Sequence, residues 1–365
     1  MARAVAVLTC LVAPAAFAVE TMRIHMADVS GEVLLSADGL GFSPDVEDAP
    51  LSPSPGGRSG VRLAGGRIEI DGAPWPEPAI RFRAEGQSAP ALGPHSIRAG
   101  SFEVRGEVVI QVHGRALQLI NVIALEHYLA AVLGSEMPSW FPEEALKAQA
   151  VAARTYALHK KLEAYDQPYH LGSSVLHQVY GGLRREDERT RAAVDATRGE
   201  VLTWDLQPIE AYFHASCGGR TEDGLHALGR DLPYLHSVTC PCGSSAVSRW
   251  EASVSPSDVE AAIGAPGANL VIASRTPTGR VERLRAGSRP IDAVTFRRRL
   301  GYARVKSLSF DVQPARDGEL RLTGRGHGHG AGLCQWGARA LATQGRSYRQ
   351  ILAHYYAGTE LQVLY

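Results

Sequence analysis

Three short stretches of this 365-residue chain hold the side chains best suited to chemistry. The first is "GSEMPSW", where Glu136 stands among Gly134, Pro138, Trp140, Phe141 and Pro142. A carboxyl group in such apolar, rigid surroundings is desolvated, which raises its pKa and keeps it protonated near neutrality, as a general acid requires. The second is "GRGHGHGAGLCQWGARALA", 324–342, which sets His327 and His329 two residues apart and on one face of an extended segment, the look of a chelating pair. The third is "HASC" followed by "TCPCG", which brings His214, Cys217, Cys240 and Cys242 into play, with Cys334 further on.

The elements that must position these groups follow from patterning. From Met22 to Val122, short alternating runs such as "GRIEIDG" and "EVVIQVHG" are bounded by glycine and proline, the signature of antiparallel strands. Helical signals begin at Leu125: "LEHYLAAVLG" reads as a short helix ended by Gly134. "PSWFPEEALKAQAVAARTYALHKK" reads as a long alanine-rich buried helix with Ser139 as N-cap and Pro142 in its first turn. On that helix Lys147 and Arg154, two turns apart, project on nearly the same face. "IEAYFHASCGG" reads as a strand, "SPSDVEAAIG" and "DAVTFRRRLG" as short helices, "VKSLSFDV" as a strand, and "QWGARALATQ" as a helix. The expected class is α+β: an N-terminal β-rich region, 19–114, then a mixed α/β core, 115–365, around the long helix.

The first residues, with Arg3, an apolar run to Val12 and the triplet Ala16-Phe17-Ala18, predict a secretory signal at 1–18. Lipid attachment at Cys10 is the less favoured variant, because the preceding Val-Leu-Thr makes a poor lipobox. Beyond residue 20 no apolar run approaches the ~18 residues of a membrane span. An exported protein is expected, in the periplasm or the cell-wall space. Lys plus Arg, 38, balance Asp plus Glu, 38, with no long run of one sign, so a basic groove for nucleic acid is absent.

Without Cys10 four cysteines remain, and three readings stay open: disulfides, zinc, and cysteines that are simply free and buried. Disulfides would have to join Cys240 and Cys242, which are too close to pair with each other, to Cys217 and Cys334. Zinc would take His214, Cys217, Cys240 and Cys242 as a closed, structural Cys3His site, with Cys334 able to replace His214. A zinc hydrolase built on His327 and His329 lacks the usual helical His-x-x-x-His pair and a third ligand.

The run "LEHYLAAVLGSEMPSWFPEEALKAQAVAARTYAL" (125–158) resembles the core motif of the SpoIID/LytB family, named for stage II sporulation protein D. The resemblance continues in "HQVYGG", "YFHASCGGRTE", "LPYLHSV" and "GHGHGAGLCQWGARALA", in the family's order. It implies a lytic transglycosylase that cuts the β-1,4 bond between N-acetylmuramic acid and N-acetylglucosamine of peptidoglycan, leaving a 1,6-anhydro end, on glycan stripped of its peptides. Glu136 falls on the family's catalytic glutamate, and catalysis needs no cofactor. Lys147 and Arg154 match cleft positions that would meet the lactyl carboxylate, and Gln178 and Tyr180 match positions suited to hydrogen bonding and sugar stacking. The resemblance also implies a structural zinc near the cysteines. Its LytB side implies the alternative, a glycan-binding module that stimulates a cell-wall amidase and cuts nothing itself. Set against Glu136, the segment 324–342 then reads as a cleft wall, with glycines admitting the glycan, His327, His329 and Gln335 offering hydrogen bonds, and Trp336 packing beneath.

Overall fold

The computed structural model describes residues 19–46, 49–84, 96–173, 178–244, 247–264 and 270–365. The signal expected at 1–18, with Cys10, lies outside them. The class is α+β, with the N-terminal part rich in strands as the alternation required. Seven strands form one sheet in the order 171–172, 21–29, 116–124, 107–113, 79–83, 41–44, 52–53. Six more form a second sheet, 102–105, 96–99, 33–36, 58–64, 67–70, 73–74.

Among the described residues eight α-helices follow: α1 (Leu125–Glu136), α2 (Glu143–Glu163), α3 (Glu188–Asp195), α4 (Gly224–Leu228), α5 (Pro256–Ile263), α6 (Ala293–Leu300), α7 (Gln335–Thr343) and α8 (Tyr348–Tyr355). The boundary expected at 114/115 falls in the turn between the paired strands 107–113 and 116–124. One hydrophobic cluster runs from Met22 to Tyr356, so sheet and helices share a core. Helix α2 lies within it, with every residue from Ala148 to Leu158 buried; its alanines let α1, α3, α7 and α8 approach closely.

Both expected helix boundaries shift. Helix α1 runs through Gly134 to Glu136, and the glycine serves packing: a Cβ there would strike the carbonyl of Arg185. Helix α2 starts at Glu143 with Pro142, not Ser139, at its N-cap. The strand expected in "IEAYFHASCGG" shrinks to Phe213–His214, paired parallel with Leu333–Cys334.

Residues 249–325 build a second hydrophobic cluster that the patterning did not reveal, containing Trp250, Leu284, Phe296 and Leu322. It rests on two three-stranded sheets with α5 and α6. Its first and last strands, 249–254 and 320–325, pair with each other, Arg249 opposite Arg325. Among the described residues no helix is long and apolar enough to cross a membrane.

Candidate active site

Glu136 is the last residue of α1, half-buried, with Oε1 accepting the Val179 backbone N–H at 2.9 Å. Burial pushes its carboxyl above the ordinary carboxylate range, with the Val179 bond and the Gln335 side chain pulling the other way. The negative end of the α1 dipole works in the same sense as burial, because it disfavours an anion at a helix C-terminus. No other described carboxylate acts on Glu136.

Gln335, at the start of α7, is the predicted neighbour that the fold brings to Glu136; it is buried, and its amide lies near enough to favour the carboxylate, while its Nε2 makes no hydrogen bond of ordinary geometry among the described residues. Lys147 is half-buried and tied to Glu143 and to Glu144, the latter at 3.3 Å. The remaining cleft assignments need correction. Arg154 is wholly out of solvent, bonded at two points to Glu126 and to the carbonyls of Val194 and Glu200, so its guanidinium cannot meet a substrate. Gln178 is equally buried, accepting from the Tyr128 hydroxyl and donating to the Ala153 carbonyl. The Tyr180 ring packs against Tyr128, and its hydroxyl donates to Asn121 Oδ1, so no face is free for a sugar. These three lock α1, α2 and the 178–180 segment together, which holds Val179 against Glu136.

The glycine-histidine segment also serves a purpose other than the expected one. At Gly328, φ is +120° and a Cβ would lie 2.6 Å from His214 Cβ; at Gly332, with φ +69°, it would strike the Tyr212 carbonyl. The glycines therefore admit the neighbouring chain at 212–218, not a glycan. His329 donates from Nε2 to the Phe213 carbonyl at 2.8 Å and accepts the Ala331 N–H on Nδ1 at 3.1 Å. Burial pushes its pKa down to about 4, so it is a neutral structural imidazole. His327 is exposed and joined through its backbone to Ser216.

The cysteines converge. The Sγ atoms of Cys217, Cys240, Cys242 and Cys334 all lie within 4.8 Å of one another, buried and free of disulfide bonds. His214 is not in this group: its Nδ1 donates to the Ala331 carbonyl at 3.0 Å, and the pairing of 213–214 with 333–334 makes Cys334 the fourth member. Cys334 Sγ accepts the N–H groups of Cys217 and Gly337, both at 3.3 Å, and lies 3.8 Å from the Ala215 carbonyl. Tetrahedral zinc with bonds of about 2.3 Å sets sulfurs about 3.8 Å apart. The Cys217–Cys242 separation of 3.4 Å and the burial suit such an ion. Arg280, from the second core, donates to the carbonyls of Cys217 and Arg220 and sets a positive charge beside the thiols.

Two residues escaped the sequence reading. Trp140 is 57% exposed, edge-on to Phe141 and Trp336, an open ring beside the Gln335–Glu136 contact. Arg339, one turn after Gln335, lies over the Trp140, Trp336 and Phe141 rings at 5.1, 5.4 and 5.8 Å and has no ion pair among the described residues. The signal for both was "PSWFP" and the four-residue spacing from Gln335 to Arg339.

With this geometry in place, comparison with known proteins gives a consistent family. The stage II sporulation protein family model matches residues 113–204, the stretch that holds Glu136, Lys147 and Arg154. An uncharacterised protein of Brachyspira hyodysenteriae is 32% identical over 266 residues, 71% of this chain and 72% of that one. Stage II sporulation protein D of Bacillus subtilis is 31% identical over 275 residues, 70% of this chain and 79% of its own. The amidase enhancer of Bacillus subtilis is 27% identical over 289 residues, 64% of this chain and 40% of its own.

Proposed function

The chain belongs to the stage II sporulation protein D family, with a cell-wall-related function, and from that premise we propose that it is an exported lytic transglycosylase of peptidoglycan glycan. The observation that carries this reading is Glu136: a half-buried carboxyl with raised pKa and no second carboxylate acting on it. Ordinary glycoside hydrolysis needs two carboxyl groups, one of them a nucleophile or water base. A single carboxyl suffices when the substrate supplies its own nucleophile.

Protonated Glu136 gives its proton to the glycosidic oxygen as the bond to C1 of N-acetylmuramic acid breaks. The 6-hydroxyl of the same sugar then attacks C1, and the Glu136 carboxylate accepts the hydroxyl proton, leaving the 1,6-anhydro ring and the acid restored. The Val179 N–H fixes one carboxyl oxygen throughout. Trp140 offers a face for a sugar, and Arg339 takes the role of lactyl-carboxylate partner that the family resemblance had given to Arg154. Lys147, at the start of α2, supplies a second cation.

We infer that the four buried thiols hold a structural zinc, supported by their mutual distances and by the two N–H donors on Cys334. The ion takes no part in the reaction.

The test is digestion of purified glycan strands, with and without peptides, by the wild type and Glu136→Gln, read by mass spectrometry. Anhydro-ended products from the wild type alone are expected, with peptide-free strands cut faster; their absence from both substrates ends the transglycosylase reading. The relative named amidase enhancer supports a second reading, a glycan-binding partner of a cell-wall amidase. In that case Glu136→Gln stimulates an added amidase as well as the wild type does.

A further inference from the structure

We propose that a cavity of about 800 Å3 between the two hydrophobic cores is a second ligand site, taking a small molecule whose one carboxylate pairs with Arg297. One wall comes from the main core, with Tyr156 of α2 and Tyr212; the other comes from the second core, with Val294 and Arg297 of α6 and Tyr302. Neither Glu136 nor Gln335 lines it; of the residues expected at the cleft only His329 does, so the site is separate from the Glu136 carboxyl.

Arg297 is the reason to expect an anion. It is 9% exposed, and its Nε and Nη2 donate to the carbonyls of Val305 and Lys306, both at 2.8 Å, with the guanidinium 4.8 Å from the Tyr302 ring centre. Among the described residues it has no carboxylate partner, and its Nη1 has no acceptor. The other arginines buried to this degree are compensated: Arg154 by Glu126 and Arg280 by Glu222. Burial accordingly pushes Arg297 down to about 10. A buried cation without a counter-ion is unfavourable, and a carboxylate ligand supplies what the protein omits.

The remaining walls define the rest of the molecule. Tyr156 and Tyr212 stand edge to face with ring centres 5.5 Å apart, and the Tyr156 hydroxyl has no protein partner among the described residues, so the body is a ring or short apolar chain with a polar group. Glu282 and Asp292 also line the space and pair with no arginine there, which disfavours polyanions and limits the ligand to one carboxylate. The volume suits a monosaccharide or a dipeptide.

A sugar acid and a peptide C-terminus share this chemistry, and the experiment separates them. The choice of probes rests on the cell-wall reading, while the cavity and Arg297 do not. Binding of N-acetylmuramic acid, N-acetyl-dialanine and the uncharged N-acetylglucosamine to the full-length protein is measured by calorimetry or NMR titration. At least one acid is expected to saturate, with the neutral sugar weaker by roughly tenfold or more. Arg297→Gln should weaken the acid by a similar factor. Should that variant fail to fold, Val294→Trp decides, because Val294 is 45% exposed at the cavity wall three residues before Arg297, where a bulky ring obstructs access to the guanidinium. Glu136→Gln should bind the acid like the wild type, even if glycan cleavage is never observed. Failure of both acids to saturate, equal binding of the neutral sugar, or wild-type binding by Val294→Trp overturns the proposal.

Discussion

Arg154 meets Glu126 at two points, Nε to Oε1 at 2.8 Å and Nη2 to Oε2 at 2.7 Å, with the guanidinium wholly excluded from solvent. The pair ties α2 to the first turn of α1, and Tyr365 closes over the same carboxylate. Burial opposes ionisation of Glu126, yet the hydrogen bond and charge of Arg154 hold its carboxyl below the ordinary range. Removing one member of such a pair leaves a buried charge, so Arg154→Ala should lose roughly 3–5 kcal/mol of stability. Denaturant unfolding checks the loss. In the opposite case, an unchanged midpoint with a raised KM would return Arg154 to the substrate. A depressed carboxyl contributes its stability above the unfolded pKa and loses it as pH falls through the folded one, so the deficit of Arg154→Ala should shrink in acid.

Glu136 carries the opposite sign. Its folded pKa is raised, so its favourable contribution is complete below the unfolded value and disappears as pH rises through the folded one. Glu136→Gln, which removes the ionisable group, should therefore match the wild type at about pH 4 and melt higher by about 1–2 °C at about pH 8. The same titration should make cleavage fall on the alkaline side, because the proton donor is lost. A wild-type rate that climbs steadily with pH contradicts the acid role.

Gly337 sits in α7, where alanine would ordinarily stabilise a helix by about 1 kcal/mol. Here a Cβ would strike the Tyr355 hydroxyl and the Cys240 thiol. Gly337→Ala should instead destabilise by roughly 1–3 kcal/mol and release zinc to a weaker chelator than the wild type requires. Metal analysis and thermal melting read the two effects. Cys334→Ser should lose the metal outright.

Trp140 and Arg339 predict the reverse pattern. Trp140 is largely exposed, so Trp140→Ala should leave melting nearly unchanged while weakening glycan binding by roughly tenfold, the worth of one stacked ring with its apolar area. Arg339→Ala should raise KM for strands bearing lactyl carboxylates more than it lowers kcat. A variant that lowers kcat alone places the residue elsewhere in the reaction.

Local patterns made the helices and Glu136 legible, because hydrophobic period and apolar neighbours are both short-range. Spacing put Lys147 and Arg154 on one face but could not say that this face turns from rim to core along the helix. The partner that buries Arg154 stands 28 residues earlier. Similarly, the choice of Cys334 over His214 depends on the pairing of Phe213–His214 with Leu333–Cys334, far apart in the chain. The glycines at 326–332 looked like room for a ligand because the backbone they admit was invisible. The second core went unseen because its alternating runs continue the same polar and apolar rhythm as their neighbours.

The pairing of Arg249 with Arg325, together with the Gly326 N–H bonded to the Ser248 carbonyl at 2.9 Å, brings the two ends of the second core to one doorway. Residues 249–325 are thus a cassette, leaving and rejoining the parent fold at neighbouring points. A short turn spanning that doorway would leave three of the four thiols on one side of the splice and Cys334 on the other, still side by side.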